Sequence, residues 1–125
     1  MLQKNWSAIE ASIPDPKGAA ALIDAMLCEK DTDMATQFVR KHFADQVSIS
    51  AYGTGDSAEE RTVKSRDQIE SLPVYGNSSE FEYGLQAEGG VIRVDARSEA
   101  CLSSYTLAYK SESAWRITEI DSACD

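Results

Sequence analysis

The chain is short of the residues that build metal and redox sites. It has one histidine, His42, and three cysteines, and no two cysteines share a C-x-x-C spacing. Structural zinc sites need several cysteines or histidines close together, and thiol redox motifs need that paired spacing. The candidate carboxylate ligands alternate with hydrophobic residues on separate predicted strands. We therefore expect no metal site.

Basic residues are scarce as well. Lys and Arg number 12 against 21 Asp and Glu, for a formal net charge of −9. Such a charge repels phosphate backbones and anionic membrane surfaces. No window approaches the roughly 18 to 20 apolar residues of a membrane span, and the start of the chain lacks the apolar core of an export signal. We expect no nucleic-acid or membrane partner and a cytoplasmic location, with export after removal of a leader left open.

The chain also lacks the motifs that indicate a cofactor site or a catalytic nucleophile. It has no glycine-rich phosphate loop and no G-x-S-x-G elbow. We therefore expect no cofactor. With 125 residues, of which 42% are hydrophobic, it fits a single domain spanning residues 1–125.

The three cysteines are interpreted one by one. Cys28 lies on or beside the apolar stripe of a predicted helix, where it acts as a small, inert hydrophobe. Cys101 and Cys124 lie near opposed ends of the last predicted hairpin, so a disulfide between them is geometrically possible. The hydrophobic register that we favour instead pairs Cys101 with Ala123 and places Cys124 on the other face.

The first half of the chain has helical periodicity. A short amphipathic helix begins near Trp6 and ends at Pro14-Asp15-Pro16, because proline removes a donor and restricts its neighbour. A second helix is predicted over residues 17–30, with its apolar stripe in the core. Asp31 is a plausible N-cap for a third helix over residues 32–43, whose inward face includes His42.

The second half has the alternation of strands. A first strand is predicted from Val47 to Tyr52, followed by a polar loop over residues 53–60 and a capping box over residues 65–68. Four antiparallel strands then follow over residues 79–87, 91–97, 100–110 and 114–121, joined by short turns. The predicted fold class is α+β, with N-terminal helices packed on a curved, mostly antiparallel sheet.

Three stretches match a known superfamily: residues 31–50 with Phe43-Ala44-Asp45-Gln46-Val47, residues 64–69 with Lys64-Ser65-Arg66-Asp67-Gln68-Ile69, and the closing Ala114-Trp115-Arg116-Ile117-Thr118-Glu119-Ile120. In this order they resemble the nuclear transport factor 2-like superfamily, which includes ketosteroid isomerases and SnoaL-type cyclases. The resemblance implies a cystatin-like α+β cone with a pocket at its open end, and many relatives pair through the sheet. It implies no particular reaction, because each stretch reflects packing.

The ketosteroid isomerase members of this superfamily would need an aspartate base, a tyrosine donor and a protonated aspartic acid. Aligned on this resemblance, those positions fall at or next to Ala51, near Ile23 and near Tyr105. Ala51 and Ile23 can neither transfer nor donate a proton. This reaction is therefore disfavoured, and we lean against an enzyme, although Tyr105 could still orient a ligand oxygen.

Six residues are candidates for lining a pocket. His42 is interpreted first as a packing residue that bonds a local carbonyl, and Arg93 as part of a cross-strand ion pair with Glu80 or Glu82. Arg93 becomes an anion anchor if its side faces the cone. The aromatic candidates combine apolar area with a polar group: Tyr52, Tyr83, Tyr105 and Trp115.

Our leading hypothesis is that the cone binds a small, mainly apolar molecule in its open end. One alternative is an interaction or dimerisation module with a vestigial cavity, which an exposed apolar row on the strands would favour. A second alternative is a dehydratase, cyclase or isomerase using His42 with Asp45, which requires both side chains to point into the pocket. By resemblance, we also predict a homodimer through the sheet.

Overall fold

A computed structural model describes residues 6–52, 60–70, 72–76, 78–110 and 114–124. Within these ranges three helices pack on one six-stranded sheet, so the α+β class is confirmed. None of the helices there has the length and apolar character that a membrane crossing requires. The elements are α1 (Trp6–Ser12), α2 (Pro16–Leu27), α3 (Thr32–Lys41), β1 (Phe43–Tyr52), β2 (Glu60–Ser65), a 3₁₀ helix (Arg66–Gln68), β3 (Glu82–Glu88), β4 (Val91–Arg97), β5 (Cys101–Lys110) and β6 (Ala114–Cys124).

Local capping starts the second and third helices where the sequence predicts. Asp15 is the N-cap of α2, with Pro16 in its first turn, and its side chain accepts a hydrogen bond from the Gly18 amide at 3.3 Å. A Cβ at Gly18 would lie 2.2 Å from Asp15 Oδ2, so this cap requires glycine. Asp31 caps α3 by accepting from the Met34 amide at 3.1 Å.

The third helix is shorter than predicted. It ends at Lys41 rather than continuing to residue 43, because the His42 amide bonds to the Val39 carbonyl and the His42 carbonyl accepts from the Ile117 amide at 2.8 Å. This second bond draws the chain into the sheet, so Phe43 already belongs to β1. The second helix likewise ends at Leu27, before the predicted residue 30.

The sheet has the order β2-β1-β6-β5-β4-β3. Strands β3 to β6 form the predicted antiparallel meander, β1 pairs antiparallel with β2, and the one parallel pairing joins β1 to β6. The registers shift between Phe43 and Ser48 on β1 and between Thr106 and Leu107 on β5. Such irregularities bend strands, so they curve the sheet around the helices.

The favoured register, which pairs Cys101 with Ala123, is wrong, and the disulfide left open as an alternative is present. Cys101 and Cys124 are direct Cα partners, 4.0 Å apart, and form a disulfide. Near the hairpin turn, Ala108 pairs with Arg116, and that register continued along the strands would bring Cys101 to Ala123 as predicted. The shift at Thr106 adds one residue to β6 and brings Cys124 to Cys101 instead.

Strand β2 was not predicted. Its residues were either placed in the polar loop or left unassigned, because it is an edge strand whose Val63 side chain is 59% exposed and which contributes no buried apolar residue. β1 begins earlier than predicted, β3 begins later, at Glu82, and β6 extends beyond residue 121. The central segments of the four meander strands are confirmed.

The two faces of the sheet differ sharply. The inner face packs against the helices and supplies the core, as Ile92, Val94, Leu107 and Ile117 show with no measurable exposure. The outer face carries the alternate residues of each strand, and on β4 these residues, including Arg93, are exposed or half-buried. Any pocket between helices and sheet must therefore be lined by inner-face residues.

Candidate functional site

A hollow of about 330 Å³ opens on the inner face, where β1, β5 and β6 lie beside the segment that follows β2. This volume is at the lower end of the roughly 300–1,000 Å³ typical of small-molecule sites. Its walls combine apolar and hydroxyl-bearing side chains with two charged ones, Lys64 and Glu70, and apolar walls with a few polar groups are usual for such sites. The hollow is lined by Ile49, Lys64, Ile69, Glu70, Ser103, Tyr105, Ile120 and Ser122.

Strand register explains how these residues meet. Ile49 pairs with Ile120 across β1 and β6, and Ile120 pairs with Tyr105 across β6 and β5. Two residues further along, Ser122 and Ser103 are partners on the same face. The hollow therefore has an apolar row followed by a hydroxyl row, and the next inner-face pair is the Cys101–Cys124 disulfide.

A cluster of three hydroxyl groups lies at the Tyr105 side of the hollow. The hydroxyl oxygens of Tyr105 and Tyr75 are 2.5 Å apart, and the Ser103 side chain lies near both phenols and lines the same hollow. Burial raises the pKa of Tyr75 and the pKa of Tyr105, because the phenolate would lose its hydration. Both phenols are therefore neutral near pH 7 and can take part in hydrogen bonds as donors or acceptors.

Tyr75 is held from behind by backbone and aromatic contacts. Its amide donates to the Met26 carbonyl at 2.7 Å. Its ring lies edge-on to Phe81, Tyr83 and Tyr105, with centroid distances of 4.8, 5.8 and 6.2 Å, an arrangement that aromatic pairs favour. The Tyr105 hydroxyl is consequently oriented by a residue that is itself fixed.

The structure brings two of the predicted aromatic residues together. Tyr105 lines the hollow, and Tyr83 contacts the same cluster through Tyr75 without lining it. The Tyr83 hydroxyl donates to the Ser78 carbonyl at 3.0 Å. Tyr52 ends β1 opposite Ala123, and its side chain lies outside the described part of the chain.

Trp115 lies in the core and is not among the residues that line the hollow. Its side chain has no measurable exposure, and its indole Nε1 donates to the carbonyls of Pro14 and Asp15, each at 3.1 Å. Its neighbour on β5 is Tyr109, with ring centroids 5.6 Å apart. Trp115 thus ties the turn between α1 and α2 to the sheet.

His42 and Asp45 cannot form the catalytic pair of the second alternative. The His42 ring stacks on Phe38 with centroids 4.3 Å apart, and its Nδ1 donates to the Phe38 carbonyl at 2.8 Å. The Asp45 side chain is 96% exposed and pairs with Arg66 at 2.9 Å. Neither residue lines the hollow, so the catalytic hypothesis that uses them is wrong, and the packing interpretation of His42 agrees with its contacts.

Arg93 lies on the outer face and therefore cannot anchor an anion in the hollow. Its partner is Asp95 on its own strand, at 3.1 Å, rather than the predicted Glu80 or Glu82. Its Nη2 also donates to Ser104 Oγ at 3.1 Å, and Ser104 Oγ donates to Asp95 Oδ1 at 2.7 Å. This part of the outer face is ionic, whereas the interaction-module hypothesis called for an apolar row.

The positions that an isomerase of the ketosteroid type would use are now located. Ile23 is fully buried in the core, and Ala51 is exposed near the end of β1. Only Tyr105 of the three aligned positions lines the hollow.

Several lining residues were missed by the sequence analysis. Ser103 and Ser122 could have been found from strand alternation, because they lie two residues from Tyr105 and Ile120 on the same face. Lys64 belongs to the strand that was not predicted. Tyr75 lies in a loop, and no local pattern indicates where that loop lies.

Comparison with known proteins gives one structural match. A scan against protein-family models found no match, and a search of curated proteins also found none. Among solved structures, the chain is similar to a protein from Parabacteroides distasonis ATCC 8503 described as a "putative ketosteroid isomerase". The two are 10% identical, with a TM-score of 0.49, over 86% of this chain and 85% of the other.

Proposed function

We propose that the chain binds a small, mainly apolar molecule in the hollow, with an oxygen of that molecule at the Tyr105 hydroxyl. The observation that carries the proposal is the position of this hydroxyl, on the wall of a hollow that also contains Ile49, Ile69 and Ile120. The isoleucines offer apolar contact without directional demands, and the hydroxyl offers one oriented polar contact. A ligand that is apolar except for one oxygen fits both.

The hydroxyl cluster favours a ligand hydroxyl or carbonyl over a charged group. Tyr75 and Tyr105 bond to each other through one of their two hydroxyl protons, so lone pairs on these oxygens, and on the neighbouring Ser103 hydroxyl, can accept from a ligand hydroxyl. They can also donate to a carbonyl if one internal bond is given up. Tyr75, Tyr105 and Ser103 carry no charge near pH 7, so a charged ligand group at the Tyr105 hydroxyl would find no ionic partner within the cluster, whereas Lys64 and Glu70 line the same hollow outside the cluster.

The test uses matched fragments and matched variants. Indanol and indanone are compared with indane by ligand-observed NMR, since these fragments differ only in the oxygen. We expect Tyr105→Phe to remove the preference for the oxygenated fragments, a loss of roughly threefold to tenfold for one neutral hydrogen bond. Tyr109→Phe is the control, because Tyr109 lies on the same strand but contacts Trp115 rather than the hollow.

An unchanged preference in Tyr105→Phe would remove Tyr105 from the site. An equal loss in Tyr105→Phe and Tyr109→Phe would point to a general change in packing instead. Native mass spectrometry of protein taken directly from cells complements this test, because it detects a bound molecule whose identity is not assumed.

We also propose that the chain belongs to the nuclear transport factor 2-like superfamily. Support comes from the order of its elements, three helices before a bent sheet, and from a hollow on the helix-covered face. An experimental structure with a flat sheet and no hollow would contradict this assignment.

We further propose that the protein works in an oxidising compartment rather than in the cytoplasm expected from its sequence. The support is the Cys101–Cys124 disulfide, since disulfides persist in oxidising environments and are rare in the cytosol. Alkylation of protein trapped directly from cells should modify Cys28 alone. Modification of all three cysteines would favour the cytoplasm.

A further inference from the structure

A second cavity, of about 220 Å³, lies where β1 and β6 begin and β5 ends. We call it the basic pocket and define it by its lining residues. Three of these are cations and one is a carboxylate, although the whole chain carries a formal charge of −9. The basic pocket is lined by Ala44, Asp45, Arg66, Lys110 and Arg116.

The basic pocket has more cations than carboxylates, whereas the chain as a whole has more carboxylates than cations. Asp45 is the one carboxylate in the lining, and it contacts only Arg66 among the three cations in the described structure. Arg116 Nη1 donates to the backbone carbonyl of Lys41, and because this acceptor is neutral, it does not neutralise the charge of Arg116. Within the described ranges, Lys110 and Arg116 have no carboxylate partner.

Arg66 is held in place by the fold. It begins the 3₁₀ helix, where Gln68 Oε1 accepts from the Ser65 amide at 2.9 Å. Arg40 then donates from Nη1 to the Arg66 carbonyl at 3.0 Å and from Nη2 to the Ile69 carbonyl at 3.2 Å. Two independent sets of bonds therefore fix the backbone from which the Arg66 guanidinium enters the basic pocket.

The guanidinium of Arg66 has an unused donor. Its Nη2 donates to Asp45 Oδ1 at 2.9 Å, whereas its Nε is buried and has no hydrogen-bond partner within the described structure. Buried donors are almost always paired in folded proteins, and leaving one unpaired is unfavourable. The Arg66 side chain as a whole is still partly exposed, so a bound anion would pair with the outer edge of the guanidinium rather than with the buried Nε. The Asp45 carboxylate competes only weakly for this role, because it is 96% exposed and screened by water.

We propose that the basic pocket binds a phosphate group, as inorganic phosphate or a small phosphate monoester, through Arg66, Lys110 and Arg116. Phosphate presents several anionic oxygens, so it can satisfy cations that approach from three separate segments. Arginine matches its geometry by donating two parallel hydrogen bonds. A carboxylate has two oxygens and one charge, and it would leave one of the three cations without a charged partner.

The test is a titration of the full-length protein with inorganic phosphate, with chloride at equal ionic strength as the reference. NMR of arginine side chains follows the Arg66 Nε–H directly, and calorimetry gives the affinity. We expect a saturable shift of the Arg66 Nε–H that chloride does not reproduce. Lys110→Gln should weaken phosphate binding roughly tenfold, and Lys110 is exposed, so folding should be retained.

Two further variants separate a binding site from a general charge effect. Asp45→Asn should strengthen phosphate binding a few-fold, because it removes the one like charge in the basic pocket. Arg97→Gln is the control, since Arg97 is an exposed cation on β4 outside the pocket. The proposal is overturned if Arg97→Gln weakens binding as much as Lys110→Gln, if phosphate gives no saturable shift, or if acetate binds as well as phosphate.

Discussion

The Cys101–Cys124 disulfide gives the sharpest test of the strand register. It closes a loop with a sequence separation of 23 residues. Removing a link of that length should release chain entropy in the unfolded state, which amounts to about 3.4 kcal/mol at 25 °C. For a domain of this size, such a loss corresponds to a fall in Tm of roughly 10–15 °C. The perturbation is the double variant Cys101→Ala with Cys124→Ala.

The assay is urea unfolding followed by circular dichroism, with wild-type protein in its oxidised form as the reference. The variant should lose about 3 kcal/mol in the free energy of unfolding. Cys28→Ala is the control for cysteine removal as such, because Cys28 is outside the disulfide. Alkylation under native, oxidising conditions should modify one cysteine of the wild-type protein rather than three.

The reasoning depends on the register shift that brings Cys124 opposite Cys101. If the double variant and the wild type unfold at the same urea concentration, and alkylation modifies three cysteines, Cys101 would pair with Ala123 after all. The irregularity at Thr106 would then be absent, and the row formed by Ser103 and Ser122 in the hollow would be wrong as well.

Three further predictions address the tyrosine cluster, the core and the oligomeric state. Burial raises the pKa of Tyr75 and Tyr105 in the folded state, so above about pH 10 these tyrosines ionise first in the unfolded chain. The free energy of unfolding should therefore fall as the pH rises, by up to about 1.4 kcal/mol per pH unit for each tyrosine. Tyr75→Phe should reduce that slope in urea unfolding, and an unchanged slope would contradict the burial argument. Trp115→Phe should lower the free energy of unfolding by roughly 2–4 kcal/mol, because it leaves a cavity and removes the hydrogen bonds to two carbonyls. Trp6→Phe is the control, because Trp6 is half-buried and its substitution should lower that free energy less. Equal losses in the two variants would argue against the core position of Trp115. We also propose a homodimer through the sheet, for which light scattering at micromolar concentration should give twice the monomer mass, and a monomer would refute it.

Features that depend on residues close together in the chain could be predicted from the sequence. Asp31 acts within one helical turn, and Pro14-Asp15-Pro16 ends the preceding helix locally, so the N-cap role of Asp31 and the end of α1 follow from residue type alone. Strand β4 could be predicted for the same reason, because its residues alternate and Ile92, Val94 and Ala96 are buried. In each case the residue and its partner are neighbours along the chain, and no tertiary information is needed.

Signals that depend on distant contacts were missed. The shift at Thr106 is a one-residue irregularity that both strands permit, and only packing against the helices selects it. Strand β2 has no apolar inner face, so nothing in its composition distinguishes it from a loop. Tyr75 reaches Tyr105 from a loop whose position is fixed by the bond between the Tyr75 amide and the carbonyl of Met26, about fifty residues earlier in the chain.

The position of β6 has a consequence for how the protein is made. Among the described strands β6 comes after the other five in the sequence, yet in the sheet it lies between β1 and β5 and joins the β1–β2 pair to the β3–β5 meander. During synthesis both pieces leave the ribosome with an open strand edge, and neither can be joined until β6 has emerged. Such exposed edges recruit other chains, so nascent protein at this stage should be a substrate for chaperones. We therefore expect the described strands to be most prone to aggregation in the interval before β6 appears.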